Sequence, residues 1–370
     1  MRMGKIYTAL GLMSGTSMDG VDASIIQTDG KHEYKAILDK YFEYPKDIYN
    51  NLTRLRDKIK SSKDLKKHQK QIESVEKEIT IFHAKAVIET LKKTKVNVDF
   101  IGFHGQTIFH NPEEKITKQL GDGKLLSKLT QKKVVYNFRQ NDLKNGGEGA
   151  PLTPIFHEML QKKFKTKPVS FFNIGGILNR TTIWEDGLLT ARDLGPGMCL
   201  IDKWIRTNAK KKYDKNGRIA RSGKVNKKVL HKYWSIFQAS DPDRISYDTS
   251  DFNISFAKGL SLEDGAATLT LYTANYFIVH FKANERSTDT LNEKTILCGG
   301  GRKNKYLVSI IKSYNKNVKL VDDYGIDGDF IESQAFAYLA IRSFLKLPIS
   351  FPETTGCTKP STGGVLVKSN

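Results

Sequence analysis

Twice along this chain a strand-like run breaks at a turn of glycine and small residues and then resumes as a second strand. The first break is Gly15-Thr16-Ser17-Met18-Asp19-Gly20, between residues 6–12 and 21–28. The second is Ile174-Gly175-Gly176, between residues 169–173 and 177–184. Strands alternating with helical stretches follow each hairpin, which predicts an α/β chain of two lobes with a cleft between them.

The rest of the pattern fits that division. Residues 34–44 read as a third strand. Ile72, Val75, Ile79, Phe82 and Ala86 are spaced three and four apart, the stripe of a helix that packs one face on a sheet. Residues 98–103 are expected to be a buried strand ending at His104-Gly105-Gln106-Thr107. A strand at 134–138 leads into Asn145-Gly146-Gly147-Glu148-Gly149-Ala150-Pro151, too rich in glycine for a helix. In the second half, residues 188–193 form a strand ending in Asp193-Leu194-Gly195-Pro196-Gly197, and residues 295–298 one running into Gly299-Gly300-Gly301. Helices are expected from about residue 199, over 262–281, from 303 and over about 329–345. The lobes are expected to comprise residues 1–132 with 352–370, and residues 133–351.

Bulk composition closes off several classes. With 370 residues, 39% of them hydrophobic, the chain can bury a sizeable core. No apolar run approaches the roughly 20 residues of a membrane span. The start of the chain lacks the charged, apolar and small-residue succession of a secretory signal. Three cysteines, Cys199, Cys298 and Cys357, do not make a disulfide framework and suit a reducing cytoplasm. The net charge of +20 raises the question of a nucleic-acid partner. Of the 60 basic residues 47 are lysine, however, whereas recognition of bases and phosphates favours the arginine fork. Even the densest stretch, residues 203–232 with 12 Lys/Arg against the single acid Asp214, reads as a solvated basic face. A nucleic-acid partner is disfavoured.

The candidate chemistry sits at the turns. Gly15, Thr16, Ser17, Met18, Asp19, Gly20, Val21 and Asp22 combine a tight turn, small hydroxyls and two carboxylates. Backbone N–H groups exposed by such a turn let a phosphate approach, and Asp19 or Asp22 suits a Mg²⁺ ion held through water. The same residues also make an ordinary hairpin loop. They form neither a P-loop nor a dinucleotide fingerprint. Gly299, Gly300 and Gly301 fit either a nucleotide contact or a tight strand-to-helix turn. Asp193, at the carboxyl end of a strand before a rigid Gly-Pro-Gly, suits a general base, although an Asp before a turn is common. His104 fits a polar ligand or a structural role, and Glu332 faces the cleft or solvent. No Cys/His spacing suggests zinc, and no Gly-x-Ser-x-Gly elbow is present.

Together the motifs are far more specific. In order they read GTSMDGVDA, HGQT, FRQNDLKNGGEGAPLTPIFH, NIGGILN, DLGPGMCLID, YDKNGRIARSGKVN, CGGGRKN, and ESQAFAYLA followed by TTGC. The chain resembles the anhydro-N-acetylmuramic acid kinases from Gly11 to about Gly364. The resemblance implies a two-lobed actin-like, ribonuclease H-like ATPase fold with a central cleft where nucleotide and sugar meet. It implies a kinase that uses ATP, Mg²⁺ and water to open 1,6-anhydro-N-acetylmuramic acid and phosphorylate O6 in peptidoglycan recycling. A homodimer belongs to the same expectation.

By position, Asp193 matches the family's base. Gly15 to Asp22 match its phosphate-binding loop, with Asp19 on the metal side. Gly175, Gly176, Gly299, Gly300 and Gly301 match glycines on the nucleotide side. Arg139 matches a sugar-pocket position, where its fork suits the lactyl carboxylate. His104, Gln106 and Glu332 match positions near that pocket. On this reading Gly301→Val is expected to weaken nucleotide binding in a folded protein.

The chain also departs from the family pattern. The usual Asp-Thr-Gly-Pro-Gly-Asn is here Asp193-Leu194-Gly195-Pro196-Gly197-Met198, expected to remove a hydroxyl and an amide beside the base. Asn137 stands where Asp usually precedes Phe-Arg, and Glu148 replaces a Gln. The usual Pro-Lys-Ser-Thr-Gly segment is replaced around residues 244–251. These changes leave open a retuned or degenerate member that acts on, or only binds, another sugar.

Overall fold

The computed structural model describes residues 4–164, 167–238, 245–282 and 294–368. They belong to two compact units, Met1–Lys163 with Asp329–Asn370, and Phe164–Gly328. In the first unit, β1 (Tyr7–Ser14), β2 (Gly20–Thr28) and β3 (Tyr34–Glu43) form an antiparallel meander. Next to β1 lies β4 (Phe100–Asn111), parallel to it, with β5 (Ile116–Leu120) folded back on the far half of β4. Then come β6 (Lys133–Tyr136), parallel to β4, and the C-terminal β12 (Val365–Val367). The order across the sheet is β12-β6-β4-β1-β2-β3.

The second unit repeats the plan. A meander of β7 (Val169–Ile174), β8 (Ile177–Ile183) and β9 (Leu189–Pro196) is extended on the β7 side by the parallel strands β10 (Lys294–Cys298) and β11 (Val318–Leu320). In both units the first strand of a three-stranded meander is flanked by two parallel strands reached through helices. This is the duplicated ribonuclease H-like architecture of the actin-like ATPases, as expected from the sequence.

The boundaries between units differ from those expected. The break at 132/133 does not occur because β6 pairs with β4, with Val134 opposite Ile101. Nor does the one at 351/352, because the helix Ile331–Phe344 packs on β1, β2 and β4. Glu332 therefore belongs to the first unit. The motif His104-Gly105-Gln106-Thr107 lies inside β4, which continues to Asn111 because β5 supplies it with a partner.

Each sheet is closed by helices. Ile72, Val75, Ile79 and Ala86 are buried on the helix Gln69–Leu91, and Phe82 is half-buried beside them. Against the opposite face lies Ile331–Phe344, where Gly11 of β1 and Gly102 of β4 stand in register. A Cβ on Gly11 would meet the Ser333 carbonyl oxygen and one on Gly102 the Phe336 carbonyl oxygen, so glycine alone lets the helix backbone sit that close. The second core joins Phe172, Leu194 and Leu297 to Ile201, Trp204, Tyr272 and Tyr276 of the helices Cys199–Ala209 and Leu262–Lys282. Among the described residues no helix is long and apolar enough to cross a membrane.

Candidate active site

The residues expected to act fall in both units: the glycine turns follow β1, β7 and β10, Arg139 follows β6, Asp193 lies toward the end of β9, and Glu332 is on the helix Ile331–Phe344. In the first unit the β1–β2 turn exposes Thr16 and Ser17, with Gly15 and Asp19 half-buried. Ser17 donates its hydroxyl hydrogen to Asp19 Oδ1. Met18 takes φ +56 and donates its N–H to the Gly15 carbonyl at 3.1 Å. Its side chain and that of Val21 lie in the core, so both are confined to backbone contacts with any phosphate. Ser14 Oγ donates to the Gly20 carbonyl at 2.6 Å, and Asp22 is half-buried on β2. Gln106, fully buried, donates from Nε2 to the Gly15 carbonyl at 3.0 Å. It braces this loop rather than standing open to a sugar.

Arg139 and His104 form one assembly. Arg139 Nε and Nη2 reach His104 Nε2 at 3.2 and 2.9 Å, and Nη1 donates to the Gly149 carbonyl at 2.8 Å. His104 Nδ1 lies 2.8 Å from the Gly105 carbonyl, so the proton is assigned to Nδ1 and Nε2 is the acceptor. Burial, and after it the Arg139 charge, hold His104 well below the ordinary imidazole range, so the ring is neutral. Phe336 packs on it with ring centres 4.5 Å apart. Half-buried Glu332 lies one turn before Phe336 on the same helix face. Beside His104 opens a polar cavity of about 360 Å³ whose walls include Glu76, Lys118, Gln119, Tyr136, Asn137 and Gln140. Asn137 takes φ +64, a conformation asparagine tolerates.

In the second unit Asp193 is 7% exposed on β9. Its N–H donates to the Ile245 carbonyl at 2.8 Å, and the Tyr247 N–H donates to Asp193 Oδ2 at 2.8 Å. The segment that departs from the family pattern is thus seated on the candidate base through its main chain; Arg244, where it begins, lies outside the described residues. Leu194 is buried in the core with Leu178 and Tyr276, and half-buried Met198 packs against the same cluster.

The nucleotide-side glycines are held by their own surroundings. The Gly175 carbonyl accepts from Met198 N–H at 2.8 Å, and the Gly176 carbonyl from Gly197 N–H at 3.0 Å. Gly299 takes φ +77. A Cβ on Gly301 would strike the Ile174 side chain, so Gly301→Val would disturb packing rather than report on nucleotide alone; a Cβ on Gly300 would meet nothing within 4 Å.

Two supports escaped the sequence reading. Buried Arg302 donates to both Asp322 oxygens at 2.7 and 2.9 Å and from Nη1 to the Gly299 carbonyl at 3.2 Å, fixing the turn. Hydrogen bonding from Arg302 holds the Asp322 carboxyl below the usual range. Asp214, the lone acid in the basic stretch, is buried and accepts the Ile219 and Ala220 N–H groups, both at 2.9 Å. Its isolation among cations was the available signal. No cluster of three His, Cys, Asp or Glu suited to a metal occurs among the described residues.

Known proteins resemble the chain over its full length. A family model described as anhydro-N-acetylmuramic acid kinase matches residues 7–369. The anhydro-N-acetylmuramic acid kinase of Pelagibacter ubique is 54% identical over 379 residues, covering 99% of this chain and all of that protein. That of Agrobacterium fabrum is 39% identical over 378 residues, with 99% and 100% covered. With the repeated fold and the strand-end aspartate, these likenesses show a phosphoryl-transferring enzyme that belongs to the anhydro-N-acetylmuramic acid kinase family.

Proposed function

We propose that the enzyme uses ATP and water to convert 1,6-anhydro-N-acetylmuramic acid to N-acetylmuramic acid 6-phosphate, a step of peptidoglycan recycling. The observation that carries the reading is Asp193, a buried carboxylate with one oxygen held by a main-chain N–H, in a chain similar throughout to enzymes named for that sugar. In the substrate O6 is tied to C1, so no hydroxyl exists to phosphorylate until the bridge opens. Asp193 takes a proton from water as the water oxygen bonds to C1. The C1–O6 bond breaks, O6 bonds to the γ-phosphorus, and ADP leaves. A carboxylate suffices as base because C1 gains oxocarbenium character, as in glycoside hydrolysis.

Phosphoryl transfer needs chiefly positioning and charge neutralisation. The exposed turn at Thr16 and Ser17 receives the phosphates. Mg²⁺ takes few carboxylates and keeps several waters, which the half-buried Asp19 fits. When bound, the ion neutralises phosphate charge. The free cysteines Cys199, Cys298 and Cys357 fit a cytoplasmic enzyme, and sedimentation tests the accompanying homodimer.

Arg139, oriented by neutral His104, pairs with the lactyl carboxylate. Arg139→Ala is expected to raise the KM for the sugar roughly 10- to 100-fold, the worth of a charged hydrogen-bonded contact, with the KM for ATP unchanged. Kinetics with each substrate varied in turn check this; a rise confined to ATP contradicts it. Gly300→Ala is expected to weaken ATP binding in calorimetric titration at an unchanged melting temperature, since the added Cβ would meet nothing within 4 Å. Unchanged affinity would move the nucleotide elsewhere.

A further inference from the structure

Asn173, Asn179 and Asp193 stand in one row across β7, β8 and β9, Asn173 opposite Asn179 and Asn179 opposite Asp193. Residues directly opposite on antiparallel strands leave the same face where the ladder is regular, as at Asn173 and Asn179. Between Leu178 and Asn179 the register shifts, so Leu194 is the extra residue of a bulge and Asp193 is the residue brought opposite Asn179. Their neighbours Ile174, Leu178 and Leu194 lie in the core. Asn173 is engaged at the Gly299 turn, its Oδ1 approached by Cys298 Sγ at 4.0 Å. Asn179 differs. Its Oδ1 is buried without a hydrogen-bond partner among the described residues, on a residue that is only half-buried. Buried acceptors are nearly always paired, so an orphan beside the base marks a place for a donor.

We propose that Asn179 is a further catalytic residue, whose Oδ1 is the second acceptor for the attacking water; the proposal rests on Asp193 being the base. Water has two O–H bonds. One hydrogen goes to Asp193, and Asn179 accepts the other, which leaves a lone pair of the oxygen aimed at C1. The Tyr247 N–H fixes the carboxylate through Oδ2, and a carboxylate accepts about four hydrogen bonds, so it holds the water as well. In the step the O–H bond to Asp193 breaks and the C1–O bond forms. The C1–O6 electron pair passes to O6, which bonds to phosphorus as ADP departs. Asn179 keeps its own protons throughout.

Two variants test this. Asn179→Leu keeps the volume and removes the acceptor, and Asn179→Ala removes it with less bulk. In either one, shown to be folded by its melting curve, kcat is expected to fall roughly 10- to 100-fold while both KM values stay within about twofold, because the water is held for attack and not for ground-state binding. In the Asp193→Asn background the same change is expected to cost less than about twofold, since the two residues act on one water. A folded variant with kcat within twofold of the parent, or a loss shared with both KM values, overturns the role of Asn179. Near-normal turnover in Asp193→Asn alone overturns instead the assignment of the base.

Discussion

Asp193→Asn is expected to lower kcat by ~10²–10⁴, the range that general-base catalysis supplies, while ATP affinity and melting temperature change little. The substitution is isosteric, and an amide oxygen still accepts from the Tyr247 N–H that holds Oδ2 at 2.8 Å. What it removes is basicity. Without a proton acceptor the attack on C1 falls to neutral water, and the 1,6-bridge stays closed. In the proposed reaction O6 is freed only by that attack, so phosphorylated sugar and ADP are expected to be lost together. An enzyme that relied on Asp193 for structure alone would keep most of its turnover in this variant.

Gly102→Val is expected to cost ~3 kcal/mol or more and to lower the melting temperature by about 6–12 °C, the severe end of core overpacking. The reason lies in how β1 and β4 receive the helix Ile331–Phe344. A Cβ at Gly102 would strike the Phe336 carbonyl oxygen, which belongs to rigid backbone and has no rotamer to yield. Displacing the helix would also strain the buried Ser24–Ser333 hydroxyl pair at 2.6 Å and lift Phe336 from His104. Activity is therefore expected to fall with stability. Gly300→Ala is the control, because its added Cβ would meet nothing within 4 Å and the melting temperature is expected to stay unchanged. A Gly102→Val protein that melts with the parent would contradict this account of the packing.

Much of this was legible in the sequence because it is local. The two meanders announce themselves by glycine turns between apolar runs, and the helix Gln69–Leu91 by its three-and-four spacing. Pairing between distant strands is not local. The parallel contact of β4 with β6 moved the lobe boundary, and β5, with only two apolar residues in five, is stabilised by the strand it pairs with. The same holds at the site. Asp193 is flagged by the Gly-Pro-Gly that follows it, but Tyr247, which holds it, lies 54 residues away. Within Gly15 to Asp22 the exposed Thr16 and Ser17 and the buried Met18 and Val21 are alike members of a motif, and only their packing separates backbone from side-chain roles. Nor does the motif show that Leu194 packs into the core.

The central claim is that water opens the bridge at C1 and that the freed O6 takes the phosphoryl group. Turnover of 1,6-anhydro-N-acetylmuramic acid with ATP in ¹⁸O-labelled water, quenched early, reduced and read by fragment masses, tests it directly. The prediction is one phosphorylated sugar for each ADP, with the label on C1 and none in the 6-phosphate. ADP formed without sugar phosphate, a product that retains the anhydro ring, or label in the phosphate would contradict it.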